Sequence, residues 1–324
     1  MPIVPSRFRA SGLFKNPHFS TIYSAKIRRV KGISQTRERM ELPDGDFIDI
    51  DWTLANTVQK EKKTTVALLL HGLEGDAQRP YILGTAKLLS NNGYDVAAIN
   101  FRGCSGSQNR LYRSYHSGET GDIKYIVHEM VARGYQHINL YGVSLGGNAV
   151  LKYLGEQDQI PTQVSCAACI GVPADLKASL EQLIRRENIV YRTSFLVHLR
   201  AKYRKKMRQF PEKMNKQEYR KIDSLKSFDD IYTAPAHGFK DALDYYNKAS
   251  SFDYLKHITV PTLILNAKND SFLHGDCYPV AQAKSSAIIH LEMPDHGGHV
   301  GFYMKGEFYY NELRTLEFFQ KNMK

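Results

Sequence analysis

Apolar and polar positions alternate over residues 36–52, TRERMELPDGDFIDIDW, on either side of Asp44-Gly45. Alternation around an Asp-Gly pair predicts a β-hairpin. From residue 64 the rhythm changes to TTVALLLHG (64–72), a near-continuous apolar run, as in strands buried on both faces. A helical pattern follows at 80–92, then a strand at 94–103, a helix at about 119–133 and a strand at 137–143. A helix opens at Ser144. Further strands are expected at 164–171, 260–266 and 286–292, with a last helix from about 306. Strands alternating with helices predict an α/β fold: a mostly parallel central sheet with helices on both faces.

Between 174 and about 250 the alternation stops. Tyr191, Phe195, Leu196, Leu199, Tyr203 and Phe210 recur at helical spacing, with Lys and Arg in the gaps. The segment reads as a helical cap laid over the C-terminal edge of the sheet, where open α/β sheets bind ligands. The chain, 1–324, is then one unit, with an N-terminal arm and hairpin over about 1–60 and the cap insertion over about 174–250.

The composition, 42% hydrophobic and 24% charged, is that of an ordinary globular chain. No apolar run approaches the roughly 20 residues of a membrane-spanning helix. The N-terminus lacks the apolar core of a secretory signal, so a cytoplasmic location is expected. Four cysteines are too few and scattered for a disulfide framework. Cys166 and Cys169 lie three apart in a predicted strand, which points the two thiols to opposite faces, as small core residues rather than a redox or zinc pair.

Charge changes the picture more. The net charge is +11, and residues 185–226 hold 14 Lys/Arg against four Asp/Glu, a local excess of 14 − 4 = 10. Basic residues along an amphipathic helix over 185–226 fit peripheral association with an anionic membrane, and a solvated helix face gives the same pattern. No nucleic-acid motif accompanies the charge, and no nucleic-acid partner is expected.

The candidate chemistry centres on Gly142-Val143-Ser144-Leu145-Gly146. Ser144 falls between a strand and a helix, the context a nucleophile elbow requires, and the flanking glycines leave room for the tight turn. An ordinary turn with a serine N-cap is the bland alternative. A serine nucleophile needs a base and the base an orienting acid, in the chain order Ser, Asp/Glu, His. Asp270 closes the strand PTLILNAKND. The loop MPDHGGHVGF offers His296 and His299, which spacing barely separates, although Gly297-Gly298 favours His299 slightly. Asp276, Asp295 and His290 are weaker candidates. The backbone amides of Leu145 and Leu73 suit an oxyanion hole. Arg102, at a strand end, could bind an anionic group, or could pair with Glu74 or Asp122, the preferred reading.

Several stretches together, HGLEGDAQRPYI (71–82), NFRGCSG (100–106), YHSGETGD (115–122), GVSLGGN (142–148), NAKNDSF (266–272) and GGHVGF (297–302), resemble the α/β-hydrolase fold proteins of the YheT type. That family is related to plant embryogenesis-associated proteins and animal abhydrolase-domain lipases. The resemblance runs from NPHFSTIYS (16–24) to the C-terminal helix. It implies the α/β-hydrolase fold, a triad of Ser144, Asp270 and His299, and hydrolysis of carboxylic or lipid esters without metal or organic cofactor. The alternatives are thioester hydrolysis or acyl transfer on the same triad, or a binding protein that keeps the fold without turnover.

Overall fold

The apolar run at 64–72 folds as a strand whose residues are buried from Val66 onward, near the middle of one nine-stranded sheet. The computed structural model describes residues 3–56, 64–156 and 159–323; residues 1–2 and 57–60 of the expected arm and hairpin segment lie outside them. In chain order the strands are β1 (Ile3–Val4), β2 (Thr36–Glu41), β3 (Phe47–Thr53), β4 (Thr65–Leu70), β5 (Asp95–Asn100), β6 (His137–Val143), β7 (Val164–Ile170), β8 (Thr262–Leu265) and β9 (Ile289–Glu292). Across the sheet they run β1-β9-β8-β7-β6-β4-β5-β3-β2. Every pairing is parallel except β2 with β3 and β3 with β5. The antiparallel pair is the expected hairpin.

The helices used below are α1 (Pro17–Ile22), α2 (Pro80–Asn91), α3 (Gly121–Ala132), α4 (Leu145–Glu156), α5 (Leu176–Leu183) and α6 (Ile189–Gln209). A long helix, Tyr310–Asn322, ends the fold. The period of two in β4 decides which face each covers. Val66, Leu68 and Leu70 pack with Ile123 and Ile126 of α3 and Leu151 of α4. Ala67 and Leu69 pack with Ile82 and Leu89 of α2 and Phe318 of the last helix. Each fully buried leucine contributes roughly 1.5–3 kcal/mol to folding. Cys169 lies in the first cluster and Cys166 in the second, so the two thiols face opposite sides of β7.

Two features were not anticipated. The short strand β1 adds to the sheet edge through Ile3 and Val4 beside Leu291 and Glu292, too brief a segment to show periodicity. The last helix begins at Tyr310 instead of about 306, because the carboxylate of Glu312 accepts from the Tyr309 N–H at 2.9 Å and caps the first turn. Between β7 and β8 the chain builds α5, α6 and shorter helices at Lys216–Lys221, Leu225–Phe228 and Ala242–Ala249. Leu199, Tyr203, Met214 and Phe228 give that region a small core of its own.

Arg102 ties the hairpin to the sheet. Its guanidinium donates to both carboxylate oxygens of Asp122 at 2.6 and 2.8 Å, to Asp44 at 2.7 Å and to Asp46 at 3.2 Å. It is therefore a structural node joining the hairpin turn, the end of β5 and the start of α3. Burial opposes the charge on Asp44, but hydrogen bonds from Arg102 and Arg113 hold its carboxyl down to about 2. Removing the cation leaves buried carboxylates unpaired. Arg102→Met is expected to cost about 3–5 kcal/mol, seen as a lower urea midpoint at unchanged m-value. A loss below about 1 kcal/mol would show that the carboxylates do not depend on Arg102.

Candidate active site

Ser144 sits between β6 and α4 with φ of 55°, one of three non-glycine residues with positive φ among the described residues. Holding a serine there costs of order 1–3 kcal/mol, so the surroundings must enforce it. Two glycines do. A Cβ at Gly142 would lie 2.5 Å from the Gly146 carbonyl oxygen. A Cβ at Gly146 would lie 2.5 Å from the Leu70 carbonyl oxygen and 2.6 Å from that of His71. Position 142 thus faces the turn itself, whereas position 146 presses on the end of β4. The Ser144 N–H donates to Ile170 O at 2.8 Å, fixing the turn against β7.

His299 Nδ1 and Asp270 Oδ2 are 2.7 Å apart, and both residues are buried. The other Asp270 oxygen accepts from the Phe272 N–H at 2.8 Å. The Phe272 ring covers the imidazole, with centroids 4.3 Å apart. The N-terminal arm completes the setting, since the His299 N–H donates to Thr21 Oγ1 at 2.9 Å. Sequence reasoning missed Thr21, although NPHFSTIYS stood out as a motif without a role. The other candidates lie elsewhere. His296 contacts Asn269 at 3.4 Å, Asp295 pairs with Lys268, Asp276 is exposed beside His274, and His290 packs on Phe318.

The loop after β4 carries Leu73. Its conformation is set by His71, which is fully buried. The Phe101 N–H donates to His71 Nε2 at 3.2 Å, so Nδ1 bears the proton and donates to Gly72 O at 2.8 Å. His71 is therefore a neutral clamp on the loop. Leu73 and Leu145 flank Ser144 in one cavity wall.

That cavity has two arms meeting at Ser144. One is a mostly apolar chamber under the cap, lined by Leu176, Leu180, Leu199, Leu225, Phe228 and Tyr246. The other runs outward between the arm and α6, past Thr21, Ile22, Lys26, Val190 and Ser194. Ser144, His299, Leu73, Glu74, Phe195 and Phe272 line both.

The cap is anchored to the loop by charge. Lys202 of α6 donates to Glu74 Oε1 at 2.5 Å. Tyr115 donates to the same oxygen at 2.8 Å and accepts from the Glu74 N–H at 2.9 Å. Lys202 Nζ also lies 4.3 Å from the Tyr115 ring centroid and 3.6 Å from Cys104 Sγ. Burial opposes the charge on Glu74, and Lys202 more than offsets it, leaving the carboxyl below its usual range. Burial pushes the Cys104 thiol up to about 11, which keeps it protonated. Three motifs, HGLEGD, NFRGCSG and YHSGETGD, thereby meet one cap residue.

His116, Glu119 and His237 are the described residues whose ligand atoms could surround a metal ion, lying within 4.8 Å of one another. Arg113 already faces the Glu119 carboxylate at 3.7 Å, and a second cation would be repelled there.

Residues 66–305 match the family described as the alpha/beta hydrolase fold. YheT of Escherichia coli (strain K12), which carries a provisional esterase name, is 33% identical over 293 residues, 89% of this chain and 85% of its own. Phospholipase ABHD3 of Mus musculus is 30% identical over 277 residues, 83% of this chain and 67% of its own. An esterase of Pyrococcus furiosus shares the fold, with a TM-score of 0.58 over 100% of this chain and 99% of its own at 14% identity.

Two stability measurements follow from these contacts. Lys202→Met strands a buried carboxylate and is expected to cost about 3–5 kcal/mol. Adding Glu74→Gln in the same chain should restore part of that loss, and a double variant worse than the single one would contradict the pairing. The second concerns acid. Burial lowers His71 to about 4; burial with Lys152 and Arg113 lowers His116 to about 3; burial with His116 and Arg113 lowers His237 to about 2. The unfolded chain protonates these histidines near pH 6.5, and the folded chain does not. Stability contributed by their neutral forms is therefore present above that pH and falls as pH drops through it. Asp229 works oppositely, since burial pushes its carboxyl up to about 6 and the folded chain takes up that proton. Burial raises Asp122 and Glu312 in the same sense, and the buried histidines are expected to set the sign, so that stability falls between pH 7 and 5.5. Urea unfolding between pH 7 and 5.5 reads the slope, and a flat profile would rule out neutral burial of the three.

Proposed function

Because this chain belongs to the α/β-hydrolase fold family, we propose that it is a serine hydrolase cleaving carboxylic esters, lipid or medium-chain acyl esters among them. One observation carries the reading: the buried Asp270–His299 hydrogen bond of 2.7 Å opens onto the same cavity as the strained Ser144. Esterase and phospholipase names among its relatives support ester chemistry.

In this reading Ser144 Oγ attacks the ester carbonyl carbon and His299 Nε2 takes the hydroxyl proton. Asp270 holds Nδ1–H and stabilises the imidazolium. The amides of Leu73 and Leu145 receive the oxyanion, each such donor lowering the barrier by roughly 3–4 kcal/mol. As the tetrahedral intermediate collapses, the C–O bond to the alcohol breaks and His299 returns the proton to the leaving oxygen. Water, deprotonated by His299, then attacks the acyl-enzyme, releasing the acid and free Ser144. The apolar chamber under the cap suits the acyl chain, and the outward arm suits the alcohol. A thioester could replace the ester at the first step, with a thiol leaving, or an alcohol could replace water at the second; acyl-donor and acceptor profiling separates the three.

A fluorophosphonate probe, which labels an activated serine, should label wild type and His296→Ala but neither Ser144→Ala nor His299→Ala. Turnover of a matching ester should fall on the order of a millionfold in Ser144→Ala and about ten-thousandfold in Asp270→Asn. Labelling of His299→Ala with loss in His296→Ala would overturn the assignment of the base.

A further inference from the structure

Large apolar side chains left in water are not spread evenly over this protein. Twelve are exposed among the described residues, and eight of them fall in two short segments. Leu13, Phe19, Ile22 and Ile27 belong to the N-terminal arm; Ile184, Ile189, Val190 and Val197 belong to the start of the cap. Val190 is 64% exposed and Val197 58% exposed, one face of α6 seven residues apart. The two segments touch. His18 and Tyr191 stack with ring centroids 5.7 Å apart, and Tyr191 OH donates to His18 O at 3.4 Å. The outward arm of the Ser144 cavity emerges between them, with Ile22, Lys26, Val190 and Ser194 in its walls. Contiguous exposed apolar surface marks an interaction site, and here it forms the rim of the channel.

The charge around the rim selects the partner. Residues 3–37 contain no Asp or Glu, and residues 182–211 contain Glu187 alone. Lys15, Lys26 and Arg29 stand on the arm side; Arg185, Arg186 and Arg192 stand on the cap side. None of the six is in an ion pair among the described residues. Four other basic residues of the cap are held by the protein, while Lys205, Arg208, Lys216, Arg220 and Lys221 stand exposed farther along it. Lys202 holds Glu74, Lys206 is buried and donates to the carbonyls of Asn109 and Leu111, Arg200 donates to Ile222 O, and Lys226 pairs with Asp230. Of the basic segment 185–226, its first residues are the ones that meet the arm and its exposed apolar side chains at the channel.

We propose that this rim, apolar at its centre and cationic at its edge, docks on an anionic lipid bilayer, with the channel mouth against the headgroups. Apolar side chains enter the headgroup boundary while long basic side chains meet lipid phosphates. Among the described residues no helix is long and apolar enough to cross a membrane; the contact proposed is a surface one. It leans on the reading of Ser144 only in taking the channel as the way in for substrate, and binding is measurable without turnover.

Vesicle flotation tests it with the full chain carrying Ser144→Ala, so that no lipid is consumed. Vesicles of phosphatidylcholine and phosphatidylglycerol in equal parts should carry the protein up the gradient, less so at higher salt, and pure phosphatidylcholine should not. Arg185→Gln and Arg186→Gln should each weaken binding about fivefold. Ile189→Asp with Val197→Asp should abolish it, with thermal unfolding confirming an intact fold. Failure of the parent to float with anionic vesicles would overturn the proposal, as would undiminished binding of folded Ile189→Asp/Val197→Asp. Retained binding with no esterase activity in the serine-containing chain would instead sink the catalytic reading and leave the docking surface standing.

Discussion

Everything near Ser144 depends on the absence of a side chain at two positions. The end of β6 runs so close to the first turn of α4 that a Cβ at position 142 would lie only 2.5 Å from the Gly146 carbonyl oxygen, and one at position 146 would press as closely on β4. That closeness puts Ser144 on a backbone with φ of 55° and brings the ends of β4, β6 and β7 to one point. Gly171, just past β7, continues the theme, since a Cβ there would meet His299 O at 2.4 Å. Serine, histidine and the loop carrying Leu73 converge because backbone approaches backbone without Cβ atoms between. The strain is supported by two saturated core layers above and below the sheet.

The cap's basic composition resolves into two kinds of cation. Lys202 and Lys206 point inward and satisfy a carboxylate and two backbone carbonyls; Arg185 and Arg186 stay out. A buried pair such as Lys202–Glu74 is weak ground for stability, since an apolar pair of the same shape does as well. Its consequence here is geometric: one cap residue fixes the loop that begins at His71, and His71 grips the same loop from below. The loop is held from two sides while Ser144 is held by its glycines.

Much of this was legible in the sequence for physical reasons. Strands buried on both faces, as β4 and β7 are, must be apolar throughout, and the helices between them must show a stripe. The elbow could be read because only glycine permits it. His299 and His296 could not be separated by spacing, because both follow β9 and the difference lies in Gly297 and Gly298 turning the backbone toward Asp270. The arm was opaque for a different reason. β1 has two residues and α1 six, too few to show a period, and Thr21 meets His299 across 278 positions. Lys202 was hidden among 14 basic residues, and only the tertiary fold shows which of them find acids.

The arm and the start of the cap are also the parts that solvent exposure sets apart, and the same geometry explains both. A chamber closed by Leu199, Phe228 and Tyr246 can take an apolar chain only if something opens onto it. The fold leaves that opening where two sequence-distant segments meet through a single stacked pair, His18 and Tyr191. Closing the seam with a larger apolar core would bury Ile22 and Val190 and add stability, but it would seal Ser144 from outside. Exposed apolar surface at this seam is therefore coupled to access, whereas elsewhere the same side chains are driven inward. An apolar chamber, Ser144 at its neck and an apolar, cationic mouth then form one continuous path.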